Sequence, residues 1–160
     1  MICYLEHSSP IGNLLLAATE HGICGLYFEE HRHFNGVQAW QRAPTHPHLC
    51  AAASQLDAYF DGRRTTFDLP LDLTGTAFQR AAWQQLTAIP FGQSITYGQQ
   101  ALRLGKPTAA RAVGAANGRN PVSIIVPCHR VIGASGAATG YAGGLERKRY
   151  LLALEGIALP

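Results

Sequence analysis

Alternating and continuous apolar runs in the first third of the chain predict a small β-sheet. Residues 2–6 alternate loosely between apolar and polar side chains, which is typical of a strand. Two further apolar runs, residues 14–18 and 23–28, flank the turn sequence Glu20-His21-Gly22 and predict a β-hairpin. Residues 29–47 are polar and contain two prolines, so we expect an irregular, exposed loop there.

Apolar residues recur at helical spacing in the rest of the chain. The predicted helices are residues 47–59, 76–89, 96–104, 108–117 and 145–155. The threonines that would cap the middle three helices are Thr74 or Thr76, Thr96 and Thr108. Between the first two helices, Pro70 interrupts an alternating stretch, which indicates an edge strand or a linker.

The third and fourth predicted helices are separated by the short turn Gly105-Lys106-Pro107. Two short helices joined in this way are typical of a helix-turn-helix, whose second helix would carry Arg111 toward nucleic acid. The other residues of that helix are mostly alanine and glycine, so its surface can approach another surface closely. The alternative is an αα-hairpin packed in the core.

The charge of the chain changes sign near residue 74. Residues 1–74 contain four arginines and eight acidic residues, a net charge of −4. Residues 75–160 contain nine basic and two acidic residues, a net charge of +7. We therefore predict two domains, 1–74 and 75–160, and expect the basic one to bind a polyanion. A basic face that contacts only solvent is the alternative.

Composition favours a globular protein of the cytoplasm. Of the 160 residues, 47% are hydrophobic and 14% are charged, which excludes a disordered chain. The four cysteines are scattered and form no CxxC pair, as expected in a reducing cytosol. The sequence predicts neither a signal peptide nor a membrane span. The pairs His31/His33 and His46/His48 lack a third ligand at a suitable spacing, so we predict no metal site.

Candidate chemistry concentrates in residues 120–131, which read NPVSIIVPCHRV. The apolar run 122–126 predicts a buried, extended segment that presents Cys128, His129 and Arg130 directly after Pro127. A thiol beside a base or a cation can ionise, and the thiolate is a nucleophile. A buried, unreactive cysteine is the alternative.

Two segments follow this stretch. Residues 133–144 are rich in glycine and alanine and predict a loop whose backbone can approach a ligand closely. In the last helix we expect Arg147, Lys148 and Arg149 on the polar side, opposite three leucines.

The residues 127–131, with Asn120-Pro121 and the helix sequence Arg111-Ala112-Val113-Gly114, resemble the O6-alkylguanine-DNA alkyltransferases. The likeness runs from residue 76 to 156, and more weakly through residues 10–12 and 56–60. It is strongest toward the stand-alone bacterial members. The resemblance implies an α+β fold, in which an N-terminal ribonuclease-H-like α/β domain precedes a C-terminal helical domain with a winged helix-turn-helix.

The resemblance also implies an activity. Such a protein moves the alkyl group from O6 of guanine, or less well from O4 of thymine, onto its own cysteine, once and without a cofactor. Its partner is double-stranded DNA that contains O6-alkylguanine, bound through the minor groove with the base flipped out. It implies a monomer with weak clustering along DNA.

Catalytic roles follow from the resemblance at five positions. Cys128 matches the acceptor thiol, and His129 matches the base that deprotonates it through a water molecule. Glu155 matches the carboxylate that orients this histidine. Asn120 matches a hinge between the recognition helix and the active-site strand, and Tyr97 matches a hydroxyl near the target phosphate and the base.

Binding roles follow in the same way. Arg111 matches the side chain that enters the base stack where the flipped base has left. The other residues expected at DNA are Thr96, Tyr97, Ala110, Ala112, Gly114, Arg119 and Arg130. The residues expected around the flipped base are Ser123, Val131, Tyr141, Ala142 and Gly143.

Two positions depart from the family pattern. Ala142 stands where some members have a hydroxyl, and Ser123 replaces a proline found in some pockets.

Two other functions are consistent with parts of the sequence. A related class binds alkylated guanine without repairing it, but it carries another residue in place of the cysteine. A thiol hydrolase that uses Cys128 and His129 would leave the helix-turn-helix without a role.

Overall fold

The apolar runs near the N-terminus form an antiparallel sheet. The computed structural model describes residues 1–29, 37 and 39–159, and it divides into two units, Met1–Thr74 and Gly75–Pro160. The strands of the first unit are β1 (Cys3–Ser9), β2 (Gly12–Thr19), β3 (Gly22–Phe28) and β4 (Gln41–Arg42). Their order in the sheet is β3-β2-β1-β4, with only β1 and β4 parallel. The predicted hairpin is confirmed as β2 and β3.

The first helix, α1 (Pro47–Phe60), packs against this sheet through a buried face that includes Leu49 and Leu56. Pro47 occupies the first turn, where a missing backbone N–H costs nothing. The Nδ1 atom of His46 caps the helix by accepting a hydrogen bond from the backbone N–H of His48 at 3.2 Å. This histidine pair therefore has a structural role. The other predicted pair, His31 and His33, lies outside the described residues.

The loop prediction for residues 29–47 is wrong at β4, which lies within it. The backbone N–H of Gln41 donates to the Ile2 carbonyl at 3.0 Å, so a short strand extends the sheet beside β1. At the opposite edge, the backbone of Ile23 exchanges 2.8 Å hydrogen bonds with the Pro70 carbonyl and the Asp72 N–H. The segment around Pro70 thus forms an isolated bridge, in agreement with an edge strand or linker.

The second unit is mainly helical. Its elements are α2 (Ala77–Thr87), β5 (Ile95–Thr96), α3 (Tyr97–Arg103), α4 (Ala110–Gly118), β6 (Val131–Ile132) and α5 (Leu145–Leu154). Thr76 and Thr96 cap α2 and α3, as predicted. Each forms a capping box, because the side-chain oxygens of Gln79 and Gln99 accept from the backbone N–H of the capping threonine. Helices α2 and α3 both pack against α4. The strands β5 and β6 pair in parallel.

Two local predictions in this unit are wrong. Thr108 does not cap α4, because the backbone N–H of Ala109 bonds the Lys106 carbonyl in a turn and the helix begins one residue later. The apolar run 122–126 is buried but not extended. Ile124 has a left-handed φ of 72°, and the N–H of Val126 returns to the Val122 carbonyl at 2.9 Å, so the run folds into a turn.

Candidate active site and nucleic-acid interface

Cys128 opens a single 3₁₀ turn, Cys128–Arg130, directly after the buried turn. Only 7% of its surface is exposed. Burial raises the pKa of the Cys128 thiol, while a hydrogen bond with the Asn120 side chain and the charge of Lys148 act in the opposite direction. The resting thiol is therefore protonated, and it needs a base to become a nucleophile.

His129 contains a candidate base, its second ring nitrogen. Its Nε2 atom lies 2.6 Å from Oε2 of Glu155, and both side chains are fully buried. Burial lowers the pKa of His129, against the opposing effect of Glu155, so the ring is neutral. Since a carboxylate only accepts, Nε2 carries the proton and Nδ1 keeps its lone pair. Nδ1 is buried and has no hydrogen-bond partner among the described residues.

Arg130 completes this network instead of reaching DNA. Its Nε atom lies 2.7 Å from Oε1 of Glu155, and a terminal nitrogen lies 3.0 Å from Oε2. Another terminal nitrogen donates to the Ile89 carbonyl at 2.7 Å, and the guanidinium lies over the ring of Phe91. The expectation that Arg130 contacts DNA is therefore wrong, because the side chain is buried. Its side chain is buried in a two-pronged ion pair that compensates the charge of the carboxylate.

Asn120 holds the buried turn that precedes Cys128. Its Nδ2 atom donates to the Val126 carbonyl at 2.8 Å, and its Oδ1 atom accepts from the Val122 N–H at 3.0 Å. Because the Val126 carbonyl also accepts the Cys128 N–H at 2.8 Å, one amide links both ends of the turn to the backbone of the candidate nucleophile. The predicted partner of this hinge, a strand, is absent because residues 122–126 form the turn.

Tyr97 begins α3 and bonds to the loop 133–144. Its hydroxyl donates to the Thr139 carbonyl at 2.9 Å. Burial raises the pKa of Tyr97, the Thr139 hydrogen bond lowers it, and proximity to Cys128 raises it. The phenol therefore keeps its proton at neutral pH and can act as a donor near the thiol.

Lys148 is a site residue that the sequence analysis placed on the polar side of α5. The structure buries it completely. Its Nζ atom donates to the carbonyls of Val131, Thr139 and Gly140 at 2.6, 2.8 and 3.3 Å. Burial lowers the pKa of Lys148 to about 8, and proximity to Cys128 acts in the opposite direction. A signal was present in the sequence, because Lys148 precedes the buried Leu151 and Leu152 by three and four residues.

The expected DNA-binding residues lie mainly on α4. Val113, Ala116 and Asn117 form its buried face, whereas Arg111 is exposed and Arg119 follows the helix at the surface. The remaining positions on or beside the exposed side are Ala110, Ala112 and Gly114. Thr96 is half-buried, and its hydroxyl oxygen caps α3 by accepting from the Gln99 N–H at 3.1 Å.

The expected pocket residues divide among three segments. Tyr141, Ala142 and Gly143 end the loop that Lys148 and Tyr97 hold, and Val131 begins β6 below it. Ser123 is fully buried in the turn 122–126, and its hydroxyl has no hydrogen-bond partner among the described residues.

The described residues contain neither a cluster of metal ligands nor a membrane-spanning helix. Across the described residues, no three His, Cys, Asp or Glu side chains are grouped so that they could hold a metal ion. In the same part of the chain, every helix is too short or too polar to cross a membrane.

Both units of the chain match known protein families. Residues 2–73 match the model of the 6-O-methylguanine DNA methyltransferase, ribonuclease-like domain, and residues 77–157 match that of its DNA binding domain. These matches confirm the predicted α+β fold class.

Individual relatives agree with this result. A methylated-DNA--protein-cysteine methyltransferase of Mycolicibacterium paratuberculosis is 49% identical over 97% of this chain and 93% of its own. One from Methanosarcina acetivorans is 47% identical over 96% and 97%. The crystal structure of Mycobacterium tuberculosis OGT in complex with DNA superposes with a TM-score of 0.90 at 49% identity, covering 96% of this chain and 92% of that one.

Proposed function

The chain belongs to the 6-O-methylguanine DNA methyltransferase family, and from that membership we propose that it repairs DNA by transferring an alkyl group to Cys128. The substrate is O6-alkylguanine in duplex DNA, with O4-alkylthymine accepted less well. The observation that carries this assignment is the buried Cys128 beside His129, whose Nε2 is fixed by Glu155 at 2.6 Å. A nucleophile, a base and an orienting carboxylate form the pattern of an activated thiol.

The reaction begins with a proton transfer. The Cys128 proton passes through one water molecule to Nδ1 of His129, and the resulting imidazolium is stabilised by Glu155. Arg130 keeps this carboxylate ionised and in place. Lys148 supplies a positive charge near the thiolate, which favours its formation.

Alkyl transfer is then a single displacement. The thiolate attacks the alkyl carbon, the bond from that carbon to O6 breaks, and its electron pair remains on the guanine. Tyr97 donates a proton to the departing base at its ring nitrogen, so its hydroxyl exchanges the Thr139 carbonyl for this acceptor. The proton that His129 took from Cys128 then returns through solvent to the phenol, so that the net reaction moves one proton from the thiol to the base. The thioether on Cys128 is stable, which limits each molecule to one reaction. No cofactor is required, because the thiolate provides the electron pair of the new bond.

DNA docks on α4. An O6 atom inside a duplex is inaccessible to a side chain, so the base must leave the stack, at a cost of a few kcal/mol. Arg111 fills the space that the base vacates. The small side chains of α4 allow close approach along the minor groove. The remaining contacts are made by Thr96, Tyr97, Ala110, Ala112, Gly114 and Arg119.

The flipped base enters a pocket next to Cys128. Tyr141 contacts the base, and the backbone at Ala142 and Gly143 offers hydrogen bonds where a side-chain hydroxyl is lacking. Val131 and Ser123 line the inner wall. Serine is smaller than proline, so Ser123 changes which bulky alkyl groups the pocket can accept.

The two domains have different functions. Residues 75–160 bind DNA and perform the transfer, whereas residues 1–74 have a structural role. The protein acts in the cytoplasm as a monomer that clusters weakly along DNA. The free state of all four cysteines supports a reducing location.

The decisive experiment is intact mass spectrometry after mixing the protein with a duplex that contains one O6-methylguanine. We expect a gain of one methyl group, located on the Cys128 peptide, that stops at one per protein. Cys128→Ser provides the control and should gain none at this peptide. Tight binding without a mass change would instead identify a protein that only senses the lesion.

A further inference from the structure

Two amide side chains are paired inside the helix-turn-helix. Gln100 of α3 is fully buried, and Asn117 of α4 is 6% exposed. Nε2 of Gln100 donates to Oδ1 of Asn117 at 3.1 Å, and Nδ2 of Asn117 donates back to Oε1 of Gln100 at 2.8 Å. The Gln100 amide also lies 3.3 Å from the Ala82 carbonyl of α2. One pair of side chains thus connects three helices.

Apolar side chains at these two buried positions would normally stabilise the protein more than this amide pair does. A buried amide that lacks partners is strongly destabilising, and even a satisfied pair gains little over a well-packed apolar one. What it adds is direction, because reciprocal hydrogen bonds form in one relative orientation of the two helices. The pair therefore fixes α4 against α3 more specifically than apolar packing does.

A chain of hydrogen bonds continues from this pair to the nucleophile. The N–H of Asn120 donates to the Asn117 carbonyl at 3.1 Å. The Asn120 side chain in turn holds the turn 122–126, and the Val126 carbonyl to which it donates also accepts the N–H of Cys128 at 2.8 Å. The path Gln100–Asn117–Asn120–Val126–Cys128 therefore connects the docking helices with the backbone of Cys128.

The last turn of α4 is also held from the other side. Nε1 of the buried Trp83 donates to the Ala116 carbonyl at 2.8 Å. Ala116 and Asn117 adjoin each other in the last turn, whereas Arg111 lies in the first. The C-terminal end of α4, which leads to Asn120, is thus fixed, and the position of its exposed face follows from that anchor.

We propose that Gln100 and Asn117 are positioning residues that align the DNA-docking helix α4 with the turn that presents Cys128. The proposal rests on the proposed function. It predicts different effects on two reactions of the same thiol. Repair of duplex DNA needs α4 and Cys128 in the correct relation, whereas reaction with a free alkylated base needs only the pocket and the thiol.

The test compares three variants. Gln100→Leu leaves the Asn117 amide without its partner, so it should unfold at a lower temperature. Gln100→Leu/Asn117→Leu removes both amides and should recover most of that stability. Gln100→Asn/Asn117→Gln exchanges the two residues and keeps a reciprocal amide pair of the same total length. Each variant is assayed for methyl transfer from a duplex with one O6-methylguanine and for reaction with free O6-benzylguanine.

We expect the double leucine variant to lose about tenfold to a hundredfold in its rate on duplex, because small misplacements of a reacting group are costly. Its rate with free O6-benzylguanine should stay within about twofold, and the exchanged pair should recover most of the duplex rate. A double leucine variant that repairs duplex as fast as the parent would overturn the proposal, and so would equal losses on both substrates. A parent protein that gains no methyl group would overturn the proposed function as well, which distinguishes the two failures.

Discussion

The Nε2 atom of His129 lies 2.6 Å from Oε2 of Glu155, and neither side chain is exposed to solvent. The same carboxylate is held by Arg130 through both of its oxygens. The acid therefore has two tasks. It fixes the tautomer of the histidine, and it balances the charge of the arginine.

Replacing Glu155 by glutamine should impair both tasks. An amide can present N–H to Nε2, which favours the wrong tautomer, and it leaves Arg130 without a counter-charge. We expect the rate of methyl transfer from duplex to fall by about a hundredfold to ten-thousandfold, in the range of general-base losses. Breaking a buried ion pair should also lower the free energy of unfolding by about 3 kcal/mol. Single-turnover kinetics and urea unfolding measure the two effects.

The matched control is Glu146→Gln, which changes an exposed carboxylate near the start of the same helix, α5. It should leave both the rate and the stability unchanged. A Glu155→Gln variant that reacts at the parent rate would contradict the role of this carboxylate.

Lys148 provides a prediction about pH. Its pKa is lowered from 10.5 to about 8, so between these values the unfolded chain binds more protons than the folded one. Stability that depends on Lys148 must therefore rise as the pH rises from about 8 to 10.5. We expect the parent to gain about 2 kcal/mol over Lys148→Met between pH 8 and pH 10, as measured by urea unfolding. A constant difference would show that folding does not lower the pKa of Lys148.

The same variant should react slowly, because it removes two hydrogen bonds to carbonyls of the loop 133–144 and a third to the carbonyl of Val131 in β6. Arg149→Met is the control, since Arg149 is the neighbouring cation on α5 and is exposed. Its rate and its pH dependence should match those of the parent.

Lys148 and Arg130 also show where sequence-based prediction succeeds and where it fails. The strands β1 to β3 follow from short apolar or alternating runs, and the five helices follow from apolar residues that recur at helical spacing. A cationic side chain is assigned to the surface by default, and both of these are buried by hydrogen bonds that come from distant segments. Long-range partners such as Glu155 for Arg130 are not encoded in local spacing.

Two other features could not be read from local pattern. The run 122–126 is apolar and β-branched, which fits a strand or a buried turn equally well. The Asn120 amide selects the turn by bonding Val122 and Val126. The pairing of Gln100 with Asn117 joins two residues that each fit a solvent-facing helix position. Only the packing of α3 on α4 brings them together.

Arg111 should matter for duplex DNA and not for a free base. Its side chain is exposed on α4, and its proposed task is to occupy the space that the flipped base leaves. We expect Arg111→Ala to slow methyl transfer from duplex by about tenfold or more, since base flipping costs a few kcal/mol. Reaction with free O6-benzylguanine should be unaffected. Arg80→Ala, an exposed change on α2, is the charge-matched control, and equal losses of Arg111→Ala on both substrates would contradict the insertion role.

Arg119 should act on DNA through phosphate charge. It follows α4 at the surface of a unit with a net charge of +7, where a guanidinium can displace a counterion from the DNA backbone. Binding of the parent to an undamaged duplex should therefore weaken as salt increases. Arg119→Ala should weaken it at every sequence and reduce the slope of log affinity against log salt by about one. Fluorescence anisotropy at several salt concentrations measures both, and an unchanged slope would place Arg119 away from the phosphates.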